Sequence, residues 1–289
     1  MINDIRIISL DLDGTLLNFR KEVSERNMKA LEMAAKHGIV VVPTTGRLAE
    51  GLPKALKELP FIRYVIGANG AVVTDRETGE DLMKAEIPCD EVLKICDIAK
   101  KYDVLYDCYI NGTGYISQEM MDRVADYTID EKHVELMKNT RHPVDNLDEF
   151  VRTNAYNALK IQFLFRSEAA RDEILPQIKE DLAGYRVTNS YPNNIEINAE
   201  HANKGEALKF LCDYLGIPMV HAMSFGDGTN DVTMLDMAGI GVAMENADPA
   251  AFPHGKVIAP DCNDDGVARI IEEYIIGDDI DANGNPVQW

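Results

Sequence analysis

Two aspartates one residue apart, Asp11 and Asp13, close the apolar run Ile7-Ile8-Ser9-Leu10 in the stretch IISLDLDGTLLN. Burying a carboxylate is costly unless it is paired or bound to a metal, and carboxylates this close raise one another's pKa. A cation is therefore expected beside them. Further polar groups follow other short apolar runs: Thr44-Thr45-Gly46-Arg47, Asn69-Gly70, Asn203-Lys204-Gly205, and GDGTND at 226–231. Asp11 and Asp227, with Asp231 as a further candidate, offer hard oxygen ligands that suit Mg²⁺. A hydroxyl at Thr45, the Gly46 amide, a lysine at a helix start and an asparagine amide are phosphate-binding groups. Between a metal and a phosphate, one aspartate can attack phosphorus. The other, turned aside where Gly14 lets the chain bend sharply, can protonate the leaving oxygen and activate water. Alone, each motif has an ordinary reading: an acidic turn, a strand-end turn, part of a calcium loop or helix cap, a solvated lysine. Together, each at a strand end, they read as one site.

Alternating strands and helices must position these groups. Arg6–Leu10 reads as a strand, followed by an amphipathic helix from the Ser24 cap to His37, ended by Gly38. Strand 39–42, helix 48–59 with Pro53 in its first turn, and strand 64–66 follow. This order predicts a parallel sheet with helices on both faces, whose ligands sit at the carboxyl ends of the strands. Near residue 70 the pattern breaks into a hairpin turning at 77–80. An α+β insert is expected over 86–191, between halves 1–85 and 192–289. Within it we expect helix 90–101, strands 104–109 and 114–116, helical material over 118–138, strand 160–165, helix 168–182 and strand 185–189. Alternation then returns: helix 204–215, strand 222–225, helix 230–238, strands 240–243 and 257–259, and helix 265–276.

The chain has 289 residues, enough for one large domain or two smaller ones. Its formal net charge of −20 argues against a nucleic-acid partner and means that an anionic substrate needs a locally positive site or a metal. Cys89, Cys96, Cys108, Cys212 and Cys262 are odd in number and form no CxxC pair, as expected of reduced thiols. The start, MINDIRI, carries charge and does not read as a signal peptide. No apolar run approaches the roughly 20 residues of a membrane span. A cytoplasmic protein without a membrane partner is expected, as a monomer or homodimer.

The motifs resemble those of the haloacid dehalogenase superfamily: DLDGT at 11–15, TGR at 45–47, Lys204-Gly205 and GDGTND at 226–231. GANGA at 67–71 and NDDGVARII at 263–271 further resemble the Cof-type, subclass IIB sugar-phosphatase-like hydrolases. The resemblance implies an α/β, Rossmann-like core from 1–85 and 192–289 and a C2-type (C2B) cap over 86–191. It implies an Mg²⁺-dependent phosphatase of small phosphorylated metabolites, sugar phosphates foremost, working through an aspartyl-phosphate. Asp11 would be nucleophile and metal ligand. Asp13 would be general acid/base, its main-chain carbonyl also on Mg²⁺. Asp227 would complete the protein ligands, with Asp231 supporting the metal from behind or through water. Thr45, Gly46, Lys204 and Asn230 would hold the phosphoryl group, and Arg47 and Asn69 would face the cap. Pro43-Thr44 is slightly unusual before TGR, where a small apolar residue is more typical.

Asp13 separates this chain from dehalogenases, which lack it, and from P-type ATPases, which carry threonine there. A phosphomutase is the alternative within the enzyme class. It should offer clustered cap arginines, whereas Arg123, Arg141, Arg152, Arg166, Arg171 and Arg186 are scattered in sequence. A non-catalytic acidic module is the alternative from another class, opposed by the intact Asp11, Asp13, Lys204 and Asp227. The cap tyrosines read as packing groups. His133, His142 and His201 lack zinc spacing, and the Asp278, Asp279, Asp281 cluster reads as solvated.

Overall fold

The computed structural model describes residues 4–128 and 131–277, and the expectations for Asp278, Asp279, Asp281 and the rest of the tail lie outside them. In chain order the elements are β1 (Ile7–Leu10), α1 (Glu25–Lys36), β2 (Val40–Pro43), α2 (Lys54–Lys57), β3 (Tyr64–Gly67), β4 (Val72–Asp75) and β5 (Glu80–Lys84). Then come α3 (Cys89–Ala99), β6 (Leu105–Ile110), β7 (Thr113–Ser117), α4 (Gln118–Asp122), α5 (Glu131–Thr140), β8 (Arg141–Val144), α6 (Leu147–Asn154), β9 (Lys160–Leu164), α7 (Glu168–Asp181), β10 (Tyr185–Thr188) and β11 (Asn194–Ala199). The last are α8 (Lys204–Leu215), β12 (Ala222–Gly226), α9 (Val232–Met237), β13 (Ile240–Met244), β14 (Val257–Ala259) and α10 (Gly266–Ile271).

Two compact units emerge. The first comprises residues up to Arg47, Leu52–Met83 and Asn203 onward; the second comprises Leu48–Gly51 and Lys84–Ala202. In the first, five strands pair in parallel in the order β14-β13-β12-β1-β2. Their near-continuous burial is what a sheet covered on both faces requires. Ile7, Val42 and Ala222 pack on Leu208 and Leu211 of α8 and Met234 of α9. Successive strand residues alternate between faces, so Ile8 and Val41 turn to the other side. α1 and α10 pack on each other, where the Asn27 Oδ1 accepts from the Ala268 N–H at 2.9 Å. Ser24 caps α1 as its sequence predicts, accepting from the Asn27 N–H at 3.1 Å.

Several sequence expectations change. Strand 64–66 does not extend the parallel sheet. As β3 it joins β4 and β5 in a separate three-stranded sheet, tied to the loop after β2 by one bridge between Thr44 and Ile66. The expected helix 48–59 divides into a 3₁₀ turn, Ala49–Gly51, and the one-turn α2 with Pro53 at its cap. Proline drives the preceding residue out of the α region, so no helix runs through Leu52-Pro53.

In the second unit, six strands run β10-β11-β9-β6-β7-β8. β8, α6 and β11 are absent from the sequence reading. β11 hydrogen-bonds between β9 and β10, so this unit continues to Ala202 rather than ending at 191. β8 carries Pro143, tolerable because β8 is an edge strand. The helical span expected over 118–138 resolves into α4, a 3₁₀ turn at Val124–Asp126, and α5.

Candidate active site

The strand order places β1 beside both β2 and β12. The chain steps outward from β1 to β2, then returns to β12 and steps the other way. Such a reversal leaves a crevice at the carboxyl ends of the central strands. Asp11 follows β1, Thr45 follows β2 and Asp227 follows β12. Across from them Lys204 opens α8, a helix capped by Asn203, whose Oδ1 accepts from the Glu206 N–H at 2.9 Å.

The Lys204 ammonium is fully buried and donates to Asp11 Oδ1 at 2.6 Å and to Asp231 Oδ1 at 2.5 Å. The second oxygen of Asp231 accepts from the Asp227 N–H at 2.9 Å and the Gly228 N–H at 2.8 Å. The Asp231 carboxylate therefore pins the GDGTND loop rather than capping α9, which has no side-chain cap. Asp227 Oδ1 accepts from the Thr15 hydroxyl at 2.9 Å. Carboxylate oxygens of Asp11, Asp227 and Asp231 lie within 4.8 Å of one another.

Three carboxylates thus share one lysine. Burial, then repulsion from Asp231 and Asp227, pushes the Asp11 pKa well above the usual carboxylate range against the pull of Lys204. Burial and Asp231 push Asp227 up to about 7. The Lys204 pKa is raised as well. Burial alone would lower it, but Asp11 and Asp231 outweigh that and hold it firmly protonated. This surplus of clustered carboxylate oxygen fits a divalent cation. Asp11 and Asp227 could supply oxygens to it, since both Asp231 oxygens are already engaged by Lys204 and by the loop amides.

Asp13 faces different partners. Arg47 grips its carboxylate through Nε at 3.1 Å and Nη2 at 2.8 Å, and Lys21 Nζ reaches it at 2.8 Å. Burial works to raise its pKa, but Arg47 and Lys21 together lower it. Gly14 follows Asp13 directly, with φ of +89°. A Cβ there would stand 2.4 Å from Asp227 Oδ2, so only glycine fits both the turn and the space.

Thr45 is buried. Its Oγ1 accepts from the Arg47 N–H at 3.2 Å, leaving the hydroxyl proton for another acceptor. Gly46 lies between these two in the same loop. Ala68, Asn69 and Gly70 all have positive φ, and a non-glycine residue there costs about 1–2 kcal/mol. The turn is held by the Ala68 N–H on Arg47 O (2.8 Å) and the Asn69 N–H on Thr45 O (3.0 Å). It presents Asn69, whose Oδ1 accepts from Asn230 Nδ2 at 3.2 Å. The residues read from sequence as site candidates thus lie at this sheet edge or in the loops bound to it.

Three contributors are new. Lys21 had no motif to mark it. Thr15 stood inside DLDGT without an assigned partner. Asn246 follows β13; its Nδ2 donates to Gly14 O at 2.8 Å and its Oδ1 accepts from the Cys262 N–H at 2.9 Å. Extending the inventory of strand ends by one strand would have found it.

A model of the haloacid dehalogenase-like hydrolases matches residues 8–271. The phosphatase YwpJ of Bacillus subtilis is 29% identical over 94% of this chain and 100% of its own. The 5-amino-6-(5-phospho-D-ribitylamino)uracil phosphatase YcsE of the same organism is 27% identical over 94% and 97%. A solved haloacid dehalogenase-like hydrolase from B. subtilis superposes with a TM-score of 0.78 at 26% identity, covering 93% of this chain and 100% of the other. The family match spans nearly the whole chain and its relatives are phosphatases; this chain belongs to the haloacid dehalogenase-like hydrolases, among the Cof-type phosphatases.

Proposed function

We propose that this protein is a cytoplasmic, Mg²⁺-dependent phosphomonoesterase acting on small phosphorylated metabolites, sugar phosphates foremost, through an aspartyl-phosphate on Asp11. The observation that carries the reading is the meeting of Asp11, Asp227 and Asp231 around the single Lys204 at the carboxyl ends of β1 and β12. Asp11 and Asp227, with the Asp13 carbonyl, would hold the metal, and Asp231 holds the Asp227 loop. Mg²⁺ bound there would neutralise charge on the transferring phosphoryl group.

An Asp11 oxygen attacks phosphorus, the ester P–O bond breaks, and the departing oxygen takes a proton from Asp13. Asp13 then removes a proton from water, which attacks the same phosphorus and releases Asp11 and inorganic phosphate. The clamp of Arg47 and Lys21 keeps Asp13 ionised, the form the second step uses. The first step requires that clamp to loosen. Thr45, Gly46, Lys204 and Asn230 hold the phosphoryl oxygens, with Asn69 orienting Asn230. The Arg47 guanidinium rests on Asp13, the group that protonates the leaving oxygen. The second unit is read as a C2-type cap.

Hydrolysis is favoured over mutation of a phosphosugar by how the cap arginines are engaged. Arg123, Arg141, Arg152, Arg166 and Arg171 each pair with a carboxylate, and Arg186 with the Glu200 carbonyl. None of these pairings assembles a second phosphate site. The five cysteines are free thiols, in keeping with a reducing compartment. The named substrate of YcsE, a phosphorylated ribityl compound, supports a polyol-type leaving group.

The test is p-nitrophenyl phosphate turnover by the wild type and by Asp11→Asn, with and without Mg²⁺. Turnover that needs both Asp11 and the metal is expected. A wild type inert on every phosphoester would replace this reading with that of a binding module.

A further inference from the structure

The stretch NDDGVARII at 263–271 lends no carboxylate to the cluster around Lys204. Its first residues are instead wound into a tight loop between β14 and α10. Asp261 Oδ1 accepts from the Asn263 N–H at 2.7 Å and from Asn263 Nδ2 at 2.6 Å. The Asp264 N–H donates to Asp261 O at 2.8 Å. Asp265 takes φ of +59°, and a Cβ on Gly266 would stand 2.0 Å from Pro260 O, so only glycine closes the loop. α10 then begins, packed on α1. A loop tied so densely and seated on a helix pair is a fixed support.

Two asparagines join this support to the chain that follows Asp13. Asn246, at the end of β13, spans the gap. Its Oδ1 accepts from the Cys262 N–H at 2.9 Å and its Nδ2 donates to Gly14 O at 2.8 Å. Both partners are main-chain groups with fixed roles, so the amide can face only one way. Asn263 Oδ1 accepts from the Phe19 N–H at 3.2 Å. Asn246 is held from both sides in turn. The Glu245 N–H donates to Ala259 O at 2.8 Å, and the Asp248 N–H donates to Asp227 O at 2.8 Å. One short segment thus grips the backbone of Asp227 and the residue after Asp13.

That residue is a glycine, the type with the widest backbone freedom. The Gly14 N–H shares a peptide plane with the Asp13 carbonyl and donates to Leu17 O at 3.3 Å. The Gly14 carbonyl belongs to the next plane, which Asn246 holds. Restraining both planes fixes the direction of the Asp13 carbonyl. Groups that orient metal ligands in this way change metal affinity by about 10- to 100-fold when they are removed.

We infer that Asn246 is a positioning residue for the cation site. By tying the Asp13 turn to the loop 260–266, it holds the Asp13 carbonyl and the Asp227 loop at one spacing. The inference rests on the phosphomonoesterase reading above for the presence of the cation. Its test combines calorimetric titration of Mg²⁺ with amide hydrogen exchange, both on metal-free wild type and Asn246→Ala. The Mg²⁺ Kd is expected to rise about 10- to 100-fold. Exchange over residues 12–22 is expected to quicken at least tenfold, while β12 and β13 keep wild-type rates. Asn246→Ser, whose hydroxyl is too short to span the two loops, carries the comparison if Asn246→Ala fails to fold. A Kd within threefold of the wild-type value, or exchange raised evenly through β1, β12 and β13, overturns the inference. If the wild type takes up no Mg²⁺, the hydrolytic reading fails and the exchange rates decide alone. Faster exchange confined to 12–22 then keeps Asn246 as the brace of that turn, and unchanged exchange overturns it.

Discussion

Both units bury charge on a sheet, but they balance it differently. At the carboxyl ends of β1 and β12, three carboxylates share Lys204, and the excess appears as raised pKa values on Asp11 and Asp227. On the second unit's sheet, Lys160 and Arg141 answer Glu196 and Asp107 one for one. A surplus of one sign leaves a site that gains from a cation. A balanced set gives a cation no such gain. The signed sum of nearby charges, more than their number, separates the two chemistries.

That contrast can be broken in several ways. Asp11→Asn should lower kcat by about 10⁴-fold or more, the scale seen when a covalent nucleophile is removed. Because the raised pKa marks its ionised form as unfavourable in the fold, the same substitution should leave the metal-free melting temperature unchanged or higher. A clear fall in melting temperature would mean that the carboxylates are not in surplus. Lys204→Met should be the costliest change to stability, by about 3–5 kcal/mol in urea unfolding, since Asp11 and Asp231 lose the cation that they share.

Mg²⁺ at a hundred times its Kd should stabilise the wild type by about 2.7 kcal/mol. Asp227→Asn should remove most of that gain, while Glu196→Gln should keep it. Equal gains in both variants would place the cation elsewhere. In the second unit, replacing Lys160 and Glu196 together with Met and Leu should cost only about 0–1 kcal/mol, whereas Lys160→Met alone should cost several times more. A double variant as unstable as the single would show that the pair itself sustains the fold.

The candidate site at the sheet edge was legible because parallel strands put their chemistry in the residues just after each apolar run. DLDGT, TGR, Lys204-Gly205 and GDGTND could be read in order, and the fold brings them to one place. The second unit was less legible because its sheet breaks the usual link between polarity and exposure. NIEINA alternates as a strand should, yet Asn194, Glu196 and Asn198 are as buried as Ile195 and Ile197. Residues 141–154 mix charge, proline and short apolar stretches, and only pairing with β7 makes β8 a strand.

By itself, the sequence determined which acidic and polar groups are candidates for the site, the parallel α/β sheet that aligns them and the presence of an insert. Those properties follow from local patterns: apolar runs, caps, glycine turns and strand-end polar residues. Tertiary structure alone decided that Lys204 spans Asp11 and Asp231, that Arg47 and Lys21 clamp Asp13, and that Arg141 reaches Asp107. Each joins residues distant in the chain through a few ångströms of space, and interactions that short depend on packing that no local pattern records.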